Sequence, residues 1–260
     1  MTRMLMEDEK DRSFVTALAR GLDVLRAFRR GDVELGNADL AERTGLPKAT
    51  ISRLTHTLVK LDYLVPNPKS GTYRLGAGVL RLGMGVLTGM EMGDRAQGAM
   101  RALCDGPNPY VTIALGERHR TSVVYVAVER STQDVSLSMT VGARLPLFES
   151  AMGRAILVAM PEPDREAAFD RADAEEPSGA NDRRQRYERA AAEFVDKGYC
   201  SGFGEWRPDV NGIAVPVHNL GGARIYGLNV GGPSFHVSKE ELETNYAPRL
   251  IEASKSLSFA

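Results

Sequence analysis

Residues 37–76 read NADLAERTGLPKATISRLTHTLVKLDYLVPNPKSGTYRLG, which predicts two short helices joined by a turn and followed by a β-hairpin. Asn37 can cap the first helix, because its side-chain oxygen accepts from the amides of an opening turn. Gly45 ends that helix where a left-handed backbone is needed. Pro47 suits the start of the second helix, since its missing amide would be unpaired there. The stretch therefore predicts a winged helix-turn-helix, a fold suited to duplex DNA.

The second helix of this motif has one apolar and one cationic face. At about 100° per residue, four apolar residues fall within the arc expected to face a core: Ile51, Leu54, Leu58 and Leu61. The opposite arc, together with the exposed first turn, is expected to face DNA and carries Lys48, Ala49, Thr50, Ser52, Arg53, His56 and Lys60. We expect Arg53 to contact a base, and three residues to hold phosphates: Lys60, Lys69 in the wing turn, and Arg74.

Basic residues are concentrated in this region. Between residues 43 and 74 six of them stand against Asp62 alone, a net charge of +5, whereas the whole chain carries −1 and the remainder therefore −6. A positive region in an otherwise acidic chain is the charge distribution expected for contact with phosphates. The alternative is an ordinary helical hairpin whose surface happens to be basic.

Length and composition limit the class of protein. The 260 residues, 43% hydrophobic and 26% charged, are typical of a globular chain with room for two domains. We expect no membrane span, no secretory signal in the charged start MTRMLMEDEKDR, and no disulfide framework from two cysteines. The four histidines are too scattered to indicate a metal site, and no cofactor motif is found. These features predict a cytoplasmic protein.

The segments on either side of the motif extend the first domain. Residues 14–30, capped by Ser13, are predicted to form a helix whose apolar stripe completes a trihelical core through Phe14, Leu18, Leu22, Leu25 and Phe28. After residue 76 apolar residues alternate with glycines, which weaken an isolated helix by roughly 1 kcal/mol each. We expect a linker helix that packs against another subunit, with an internal core helix as the alternative. A second linker helix is predicted over residues 94–104.

Strand-like patterns begin after residue 109. Strands are predicted at 110–115, 121–128, 134–141, near 199, at 211–217 and at 223–230; helices are predicted at 150–160, 164–171, 181–197 and from 238 onward. This order indicates an α+β domain with a mostly antiparallel sheet. The predicted domains are residues 13–76, which bind DNA, residues 77–105, which link and dimerise, and residues 106–260, which bind an effector.

The last two predicted strands alternate bulky and small side chains. Bulky residues face one side, while the other side carries Gly212, Ala214, Gly227, Asn229 and Gly231. Small side chains leave volume, and a single amide within that volume can orient a ligand. This pattern predicts either a ligand cavity or a surface that a loop or helix fills.

Six segments together resemble the IclR family of bacterial transcriptional regulators. They are FVTALARGLDVLRAF, LAERTGLPKATISRLTHTLVKLDYL, YRLGAGVLRLG, GARLPLFESAMGRAIL, GYCSGFGEWRPDVNGIAVPV and RIYGLNVGGP, and they span almost the whole chain. The resemblance implies a winged helix-turn-helix, a dimerising linker helix and a C-terminal effector-binding domain of GAF-like α/β architecture. It also implies a homodimer or homotetramer that binds a palindromic operator, as repressor or activator, and responds to a small organic or aromatic acid.

The resemblance also implies where the effector binds. Ser150, Ala151 and Met152 match the positions at which family members hold a ligand carboxylate with backbone amides, and the remaining positions align with Gly202, Gly212, Asn229 and Gly231. Where many members have an acidic run, this chain has GFGEW, and Phe148, Phe203 and Trp206 would suit a larger or aromatic ligand unless they simply pack.

Three other functions are weighed against this one. An enzyme is disfavoured because no GxSxG, HExxH or phosphate-binding loop occurs. A redox sensor would use Cys104 and Cys200, although isolated cysteines are usually inert packing residues. The third is a DNA-binding regulator whose C-terminal domain is vestigial and ligand-free.

Overall fold

The computed structural model describes residues 13–29, 31–88, 91–130, 139–219, 222 and 224–259. Two units follow one another along the chain, Met1–Gly89 and Met90–Ala260. One of the two predicted linker helices falls in each unit, and the three-part division of the sequence stays a prediction.

The first unit is a winged helix-turn-helix, as predicted. Its elements are α1 (Thr16–Arg26), β1 (Leu35–Gly36), α2 (Asn37–Thr44), α3 (Lys48–Lys60), β2 (Leu64–Asn67), β3 (Thr72–Leu75) and α4 (Ala77–Thr88). The wing is an antiparallel sheet in the order β1-β3-β2, and its short first strand was not predicted from the sequence. Two residues are too few to show an alternating pattern, so only the pairing with β3 reveals that strand.

The helix ends agree with the sequence at Gly45 and differ at Asn37 and Ser13. Gly45 has φ +72° and ends α2 in the left-handed conformation. Asn37 is the first helical residue and not the cap; the Asp39 carboxylate accepts from the Gly36 amide at 2.8 Å. Ser13 does not cap α1 either, because that helix begins at Thr16 and follows Val15.

The small core of this unit forms around α3, with two differences from the predicted apolar faces. Its buried side chains are Val24, Ala27, Leu35, Leu40, Ile51, Leu58 and Leu64. Leu18 and Leu22 are exposed, because α1 turns Val24 and Ala27 toward the core instead. Leu61 is also exposed, since it follows the last residue of α3 and leaves the helical arc. Leu25 and Phe28 of the predicted stripe do pack against this core, so periodicity was right for the end of α1 and wrong for Leu18 and Leu22.

The second unit is an α+β domain, as predicted. Its elements are α5 (Glu91–Cys104), β4 (Thr112–His119), β5 (Ser122–Arg130), β6 (Arg144–Pro146), α6 (Ala151–Ala159), α7 (Glu162–Glu175), α8 (Ala180–Lys197), β7 (Cys200–Phe203), β8 (Val210–His218), β9 (Ile225–Pro233), α9 (Lys239–Glu241) and α10 (Ala247–Phe259). The six strands are all antiparallel to their neighbours, in the order β6-β5-β4-β9-β8-β7. Most of the strand predicted at 134–141 lies outside the described residues.

The register of the central strands brings the small side chains together. Gly212 pairs with Gly231 and Ala214 with Asn229, so both strands show their small residues to the same face. Helix α6 packs on that face, and α5 and α10 also contact the sheet. The alternation in the sequence therefore predicted this face correctly.

The start of α6 approaches the preceding chain so closely that one of its residues must be glycine. A β-carbon at Gly153 would lie 2.0 Å from the backbone oxygen of Leu147, far inside van der Waals contact. Ser150, which the sequence analysis took as the first residue of this helix, caps it instead, since its hydroxyl accepts from the Gly153 amide at 3.1 Å. Together these contacts hold the first turn of α6 against the segment that leads into it.

We expect Gly153→Ala to destabilise the protein by about 1–3 kcal/mol or more, because backbone must move to admit the methyl group. Gly98→Ala is the matched control: Gly98 also lies within a helix, but no atom comes within 4 Å of the place that a β-carbon would occupy there. It should raise stability by up to about 1 kcal/mol through helix propensity. Calorimetric unfolding of both variants measures the difference, and equal midpoints would contradict the steric account.

Candidate functional site

The residues predicted to contact DNA lie on the surface of the first unit. Of the nine, Thr50 is half-buried, and the other eight are exposed: Lys48, Ala49, Ser52, Arg53, His56, Lys60, Lys69 and Arg74. Helix α3 carries seven of them: Ala49, Ser52, Arg53, His56 and Lys60 lie on the side away from its buried Ile51, Thr55 and Leu58, and Lys48 and Thr50 lie in its first turn. The amphipathic pattern of the sequence thus places a polar, cationic face of α3 in solvent.

A groove runs between α1 and this face of α3. Thr50, Ser52, Arg53 and His56 line it together with Arg20 of α1, which was not predicted from the sequence. Arg20 is exposed and adds a second helix to the cationic surface. No local pattern marks it, because its place beside α3 depends on how the two helices pack.

Asn37 connects the two helices of the motif through polar contacts. Its amide nitrogen donates to the Ser52 hydroxyl at 3.2 Å, and its amide oxygen accepts from the buried Thr55 hydroxyl at 3.5 Å. Ser52 is one of the residues predicted to face DNA. The residue that the sequence suggested as a helix cap therefore orients a side chain on the recognition face.

Two carboxylates that precede the basic region fold back onto it and reduce its positive charge. Asp32 pairs with Arg43, whose guanidinium also donates to the Ala27 carbonyl at 2.9 Å, so Arg43 ties α2 to the end of α1. The hydrogen bonds from Arg43, and then from the Arg29 amide, lower the pKa of Asp32. Glu34 is the second carboxylate. With Asp32, Glu34, Asp39 and Glu42 included, residues 32–74 have a net charge of +1, against +5 for residues 43–74.

Glu34 organises the turn of the wing. Its carboxylate accepts from the Asn67 amide at 3.1 Å, from the Ser70 hydroxyl at 3.2 Å, and from the Thr72 hydroxyl. The hydrogen bonds from Thr72 and Asn67 lower the pKa of Glu34, so it stays ionised at neutral pH. This network shapes the turn that carries exposed Lys69 at its tip.

The second unit contains a cavity between the small-residue face of the sheet and the start of α6. All seven residues that the family resemblance implied for an effector line it: Ser150, Ala151, Met152, Gly202, Gly212, Asn229 and Gly231. Eight further residues complete the wall: Thr112, Tyr125, Met139, Leu145, Glu149, Trp206, Val210 and Asn211. The structure thus brings together residues that lie far apart along the chain.

The cavity is small because Met152 fills part of the hollow. A β-carbon at Gly116 would lie 2.5 Å from the Met152 sulfur, and one at Gly227 would lie 2.4 Å from its Cγ. The remaining space, about 40 Å³, lies toward Gly212 and Gly231 and has room for only a few water molecules. Methionine is unbranched and adaptable, so Met152 and Met139 are the wall residues that repack most easily.

The first turn of α6 presents backbone amides to this cavity. The Gly153 amide donates to the Ser150 hydroxyl and the Arg154 amide to the Ser150 carbonyl. The amides of Ala151 and Met152 precede them, at positions where a helix has no internal acceptor to offer. Such a helix start, with the positive end of its dipole, suits an anion.

Polar atoms on the sheet side of the cavity are buried without a partner among the described residues. They are Oγ1 of Thr112 and Oδ1 of Asn229. Thr112 is 4% exposed. Burial raises the pKa of the neighbouring Tyr125 hydroxyl, and its interaction with the Asn229 side chain opposes that rise. The phenol is therefore neutral at physiological pH.

An ion-pair cluster anchors the loop that covers the cavity. Arg154, 3% exposed, donates to the Glu205 carboxylate at 2.5 Å and to the Ser201 carbonyl, while Arg186 reaches the same carboxylate at 3.4 Å. Trp206, next to Glu205, lines the cavity. Of the three aromatic residues considered from the sequence, it alone does so; Phe148 packs against Phe169 with 5.0 Å between ring centres.

The two cysteines have the properties of packing residues. Burial raises the pKa of the Cys200 thiol to about 12 and also raises the pKa of Cys104. A thiol that stays protonated at neutral pH is a poor nucleophile and a poor redox sensor. This argues against the cysteine redox sensor considered from the sequence.

The described part of the chain has neither a metal cluster nor a membrane-spanning helix. No group of three His, Cys, Asp or Glu side chains there is placed to hold a metal ion. Nor is any helix among those residues long and apolar enough to cross a membrane.

Two family models match the chain. The model described as IclR helix-turn-helix domain matches residues 17–68, and the model described as bacterial transcriptional regulator IclR C-terminal matches residues 84–259. Similar proteins include the HTH-type transcriptional regulator TsaQ1/TsaQ2 of Comamonas testosteroni, 36% identical over 93% of this chain and 87% of that protein. The Pca regulon regulatory protein of Pseudomonas putida is 30% identical over 95% of this chain and 84% of its own length.

Solved structures agree with these matches. An IclR family transcriptional regulator from Brucella abortus is 42% identical, with a TM-score of 0.83 over 96% of this chain and 94% of its own. An IclR homologue from Microbacterium hydrocarbonoxydans, complexed with 4-hydroxybenzoate, is 22% identical with a TM-score of 0.68 over 93% and 95% of the two chains. At that identity the second comparison shows the shared fold alone.

Proposed function

The chain belongs to the IclR family of bacterial transcriptional regulators, and on that basis we propose how this DNA-binding regulator works. It binds a palindromic operator as a dimer or a dimer of dimers, and a small organic or aromatic acid in the C-terminal cavity changes its affinity for that operator. The family consists of regulators and not of enzymes. The observation that carries the proposal is that one chain combines an exposed cationic α3 with a cavity at a helix start.

DNA recognition is assigned to α3 and the wing. Helix α3 enters the major groove of the DNA, and there Arg53 contacts a guanine through two hydrogen bonds. In support, Arg53 is exposed and lines the protein's own surface groove together with Arg20. Lys60, Lys69 and Arg74 hold phosphates, and Arg20 joins them. The remaining residues on that face read base edges or the neighbouring backbone: Lys48, Ala49, Thr50, Ser52 and His56.

We expect Arg53→Ala to lose about 1–3 kcal/mol of operator binding and to relax sequence preference at one position in each half-site. Lys69→Ala is the matched comparison: it should weaken binding to all sequences alike and lower the salt dependence by about one counterion. Fluorescence anisotropy on operator fragments at several salt concentrations measures both effects. Unchanged affinity and preference in Arg53→Ala would remove that residue from base reading.

The apolar residues that the first unit leaves in solvent support the proposed dimer. Val15, Leu18 and Leu22 lie three and four residues apart along α1, and Leu18 is 63% exposed. Leu80 on α4 is 67% exposed, and at Gly83 no atom lies within 4 Å of the place that a β-carbon would occupy. We assign these exposed apolar residues on α1 and α4 to contacts with the partner subunit, because groups of exposed apolar side chains mark association surfaces.

We expect Leu18→Glu to convert the dimer to monomers, because a carboxylate would be buried unpaired at the interface. Val195→Glu is the control, since Val195 is 87% exposed on a helix of the other unit. It should leave the assembly unchanged. Light scattering during size-exclusion chromatography gives the mass of each variant, and a monomeric wild type would refute the dimer outright.

Effector binding is assigned to the cavity. The carboxylate lies against the amides of Ala151 and Met152, and the body of the acid displaces Met152 toward a new rotamer. The apolar and aromatic walls suit a ring, and 4-hydroxybenzoate is bound by the Microbacterium homologue. The DNA-binding domains have two arrangements, one of which binds the operator better. The acid changes operator affinity only to the extent that it binds one of these arrangements more tightly than the other.

Gly212 offers a test of the cavity. A β-carbon there would lie 3.4 Å from the Val230 oxygen, an ordinary contact, so the fold admits a side chain that fills the space. Gly212→Ala should reduce the thermal shift produced by saturating carboxylic acids, and Gly212→Val should abolish it, while operator binding without acid persists. A ligand at 100 times its Kd stabilises by about 2.7 kcal/mol, which is readily seen. A full shift in Gly212→Val would place the ligand elsewhere.

One observation favours the ligand-free alternative. The cavity measures about 40 Å³, below the 300–1,000 Å³, roughly, of sites that bury small ligands. In that case the C-terminal unit serves assembly only. A screen in which no organic or aromatic acid shifts the unfolding temperature, while operator binding is intact, identifies this second function.

A further inference from the structure

The turn that follows α3 is bonded directly to the start of α4. Asp62 lies two residues after the last residue of α3, and its φ of +60° is in the left-handed region. The Asp62 carbonyl accepts from the Gly78 amide at 3.3 Å, and the Tyr63 carbonyl accepts from the Gly76 amide at 2.8 Å. Two backbone hydrogen bonds thus connect the end of α3 to the first turn of α4.

Glycine at two positions permits this close contact. A β-carbon at Gly78 would lie 2.9 Å from the Asp62 carbonyl oxygen, and one at Gly76 would lie even closer to the same atom. A side chain at either position would therefore displace the backbone of the turn. Strands β2 and β3 pair as far as Leu64 and Leu75, directly beside this contact. We call Asp62, Gly76 and Gly78 the α3–α4 joint.

We propose that the α3–α4 joint sets the spacing of the operator half-sites that the protein reads. The inference rests on the proposed function, in which a dimer places one α3 in each half-site of a palindrome. Leu80, whose exposed side chain is assigned to the partner subunit, lies on α4 two residues after Gly78. The joint therefore connects the helix that contacts the partner to the helix that contacts DNA. Its three members are positioning residues, because they act through the direction of α3.

A small change at the joint would produce a large change at the operator. Helix α4 has 12 residues, so a rotation of roughly 10° about its start moves its far end by about 3 Å, since each residue advances it by about 1.5 Å. One inserted base pair moves a half-site by about 3.4 Å along the DNA and turns it by roughly 35°. Selection of one half-site spacing over the next therefore requires that the joint hold α3 and α4 within a few degrees.

Asp62→Val and Asp62→Asn form a charge-matched test of the joint. Both remove the same carboxylate, but asparagine adopts the left-handed region readily and β-branched valine does not. The full chain of each variant is titrated with two DNA fragments: the operator that the wild type selects from random-sequence DNA, and a fragment with a single half-site. The readout is the ratio of the two affinities, because a change within α3 itself alters both alike.

We expect the wild type and Asp62→Asn to bind the full operator roughly 100-fold or more tightly than a single half-site, through the second contact. In Asp62→Val that ratio should fall by about tenfold or more, while half-site affinity stays within about twofold of Asp62→Asn. Operators with one base pair inserted or removed should weaken the wild type most and Asp62→Val least. An unchanged ratio and an unchanged spacing preference in Asp62→Val would overturn the inference.

Three other results are decisive as well. Light scattering should give both variants the same mass, and a monomeric Asp62→Val would overturn the joint and place Asp62 in the dimer contact. Loss of half-site binding in Asp62→Val would also overturn it, because the residue would then support α3 alone. A wild type that gains nothing from the second half-site would refute the palindromic operator of the proposed function, and the inference with it.

Gly78→Ala tests the joint from the α4 side, so the inference does not depend on the folding of Asp62→Val. Its methyl group would meet the Asp62 carbonyl oxygen, whereas a β-carbon at Gly98 in α5 would meet no atom within 4 Å. Gly98→Ala is the matched control, because both substitutions favour the helix that contains them. The affinity ratio should fall in Gly78→Ala and stay at the wild-type value in Gly98→Ala. Equal ratios in these two variants would overturn the inference.

Discussion

The close approach of α6 to the sheet and to its own leading segment is the constraint on which the effector domain depends. Gly153 admits the Leu147 carbonyl, and Gly116 and Gly227 admit the side chain of Met152. These close contacts, together with the hydrogen bond from the Gly153 amide to Ser150, set the position of the first turn of α6. Its amides are therefore held at the edge of a cavity whose floor is built from Gly212 and Gly231.

In the DNA-binding unit, too, small and polar residues fix the course of the backbone. Gly45 ends α2 so that α3 turns its cationic face outward, and Asn37 reaches across to Ser52 on that face. Glu34 fixes the wing turn through Asn67, Ser70 and Thr72. A carboxylate close to a DNA-binding surface repels the phosphates. Glu34 nevertheless lies there, and its hydrogen bonds shape the turn that carries Lys69. Carboxylates from outside residues 43–74 thus lower the positive charge of this region, and their hydrogen bonds hold its backbone in place.

In the proposed function, the loops and side chains around the cavity connect ligand binding to operator affinity. Trp206 closes one side, and Glu205 beside it is shared by Arg154 and Arg186 from two helices. With about 40 Å³ enclosed, occupancy requires Met152, Met139 or Trp206 to move. In the proposed function a ligand that moves them binds one arrangement of the protein better than the other, and that difference is all the free energy available to change operator affinity.

Much of the architecture was determined by the sequence alone, because it depends on local preferences. The Gly45 turn, the two faces of α3, the helix that begins near residue 150 and the small-residue face of β8 and β9 all follow from backbone sterics and from periods of 3.6 and 2. The family resemblance added the seven residues that line one cavity, Gly202 among them. What failed was also local: Asn37 and Ser13 have the right chemistry for caps but lie at the wrong positions relative to the helix starts.

Only the tertiary structure decided which distant residues meet. Asp32 and Glu34 lower the charge of the basic region, Arg20 joins α3, and Thr112 stands beside Asn229, although no spacing along the chain connects these residues. Likewise, α1 buries Val24 and Ala27 and exposes Leu18, since helix packing chose between two apolar sides. The order of the strands and the rotation of each helix about its axis depend on many contacts between residues that are distant in the sequence. A local sequence pattern does not describe such contacts.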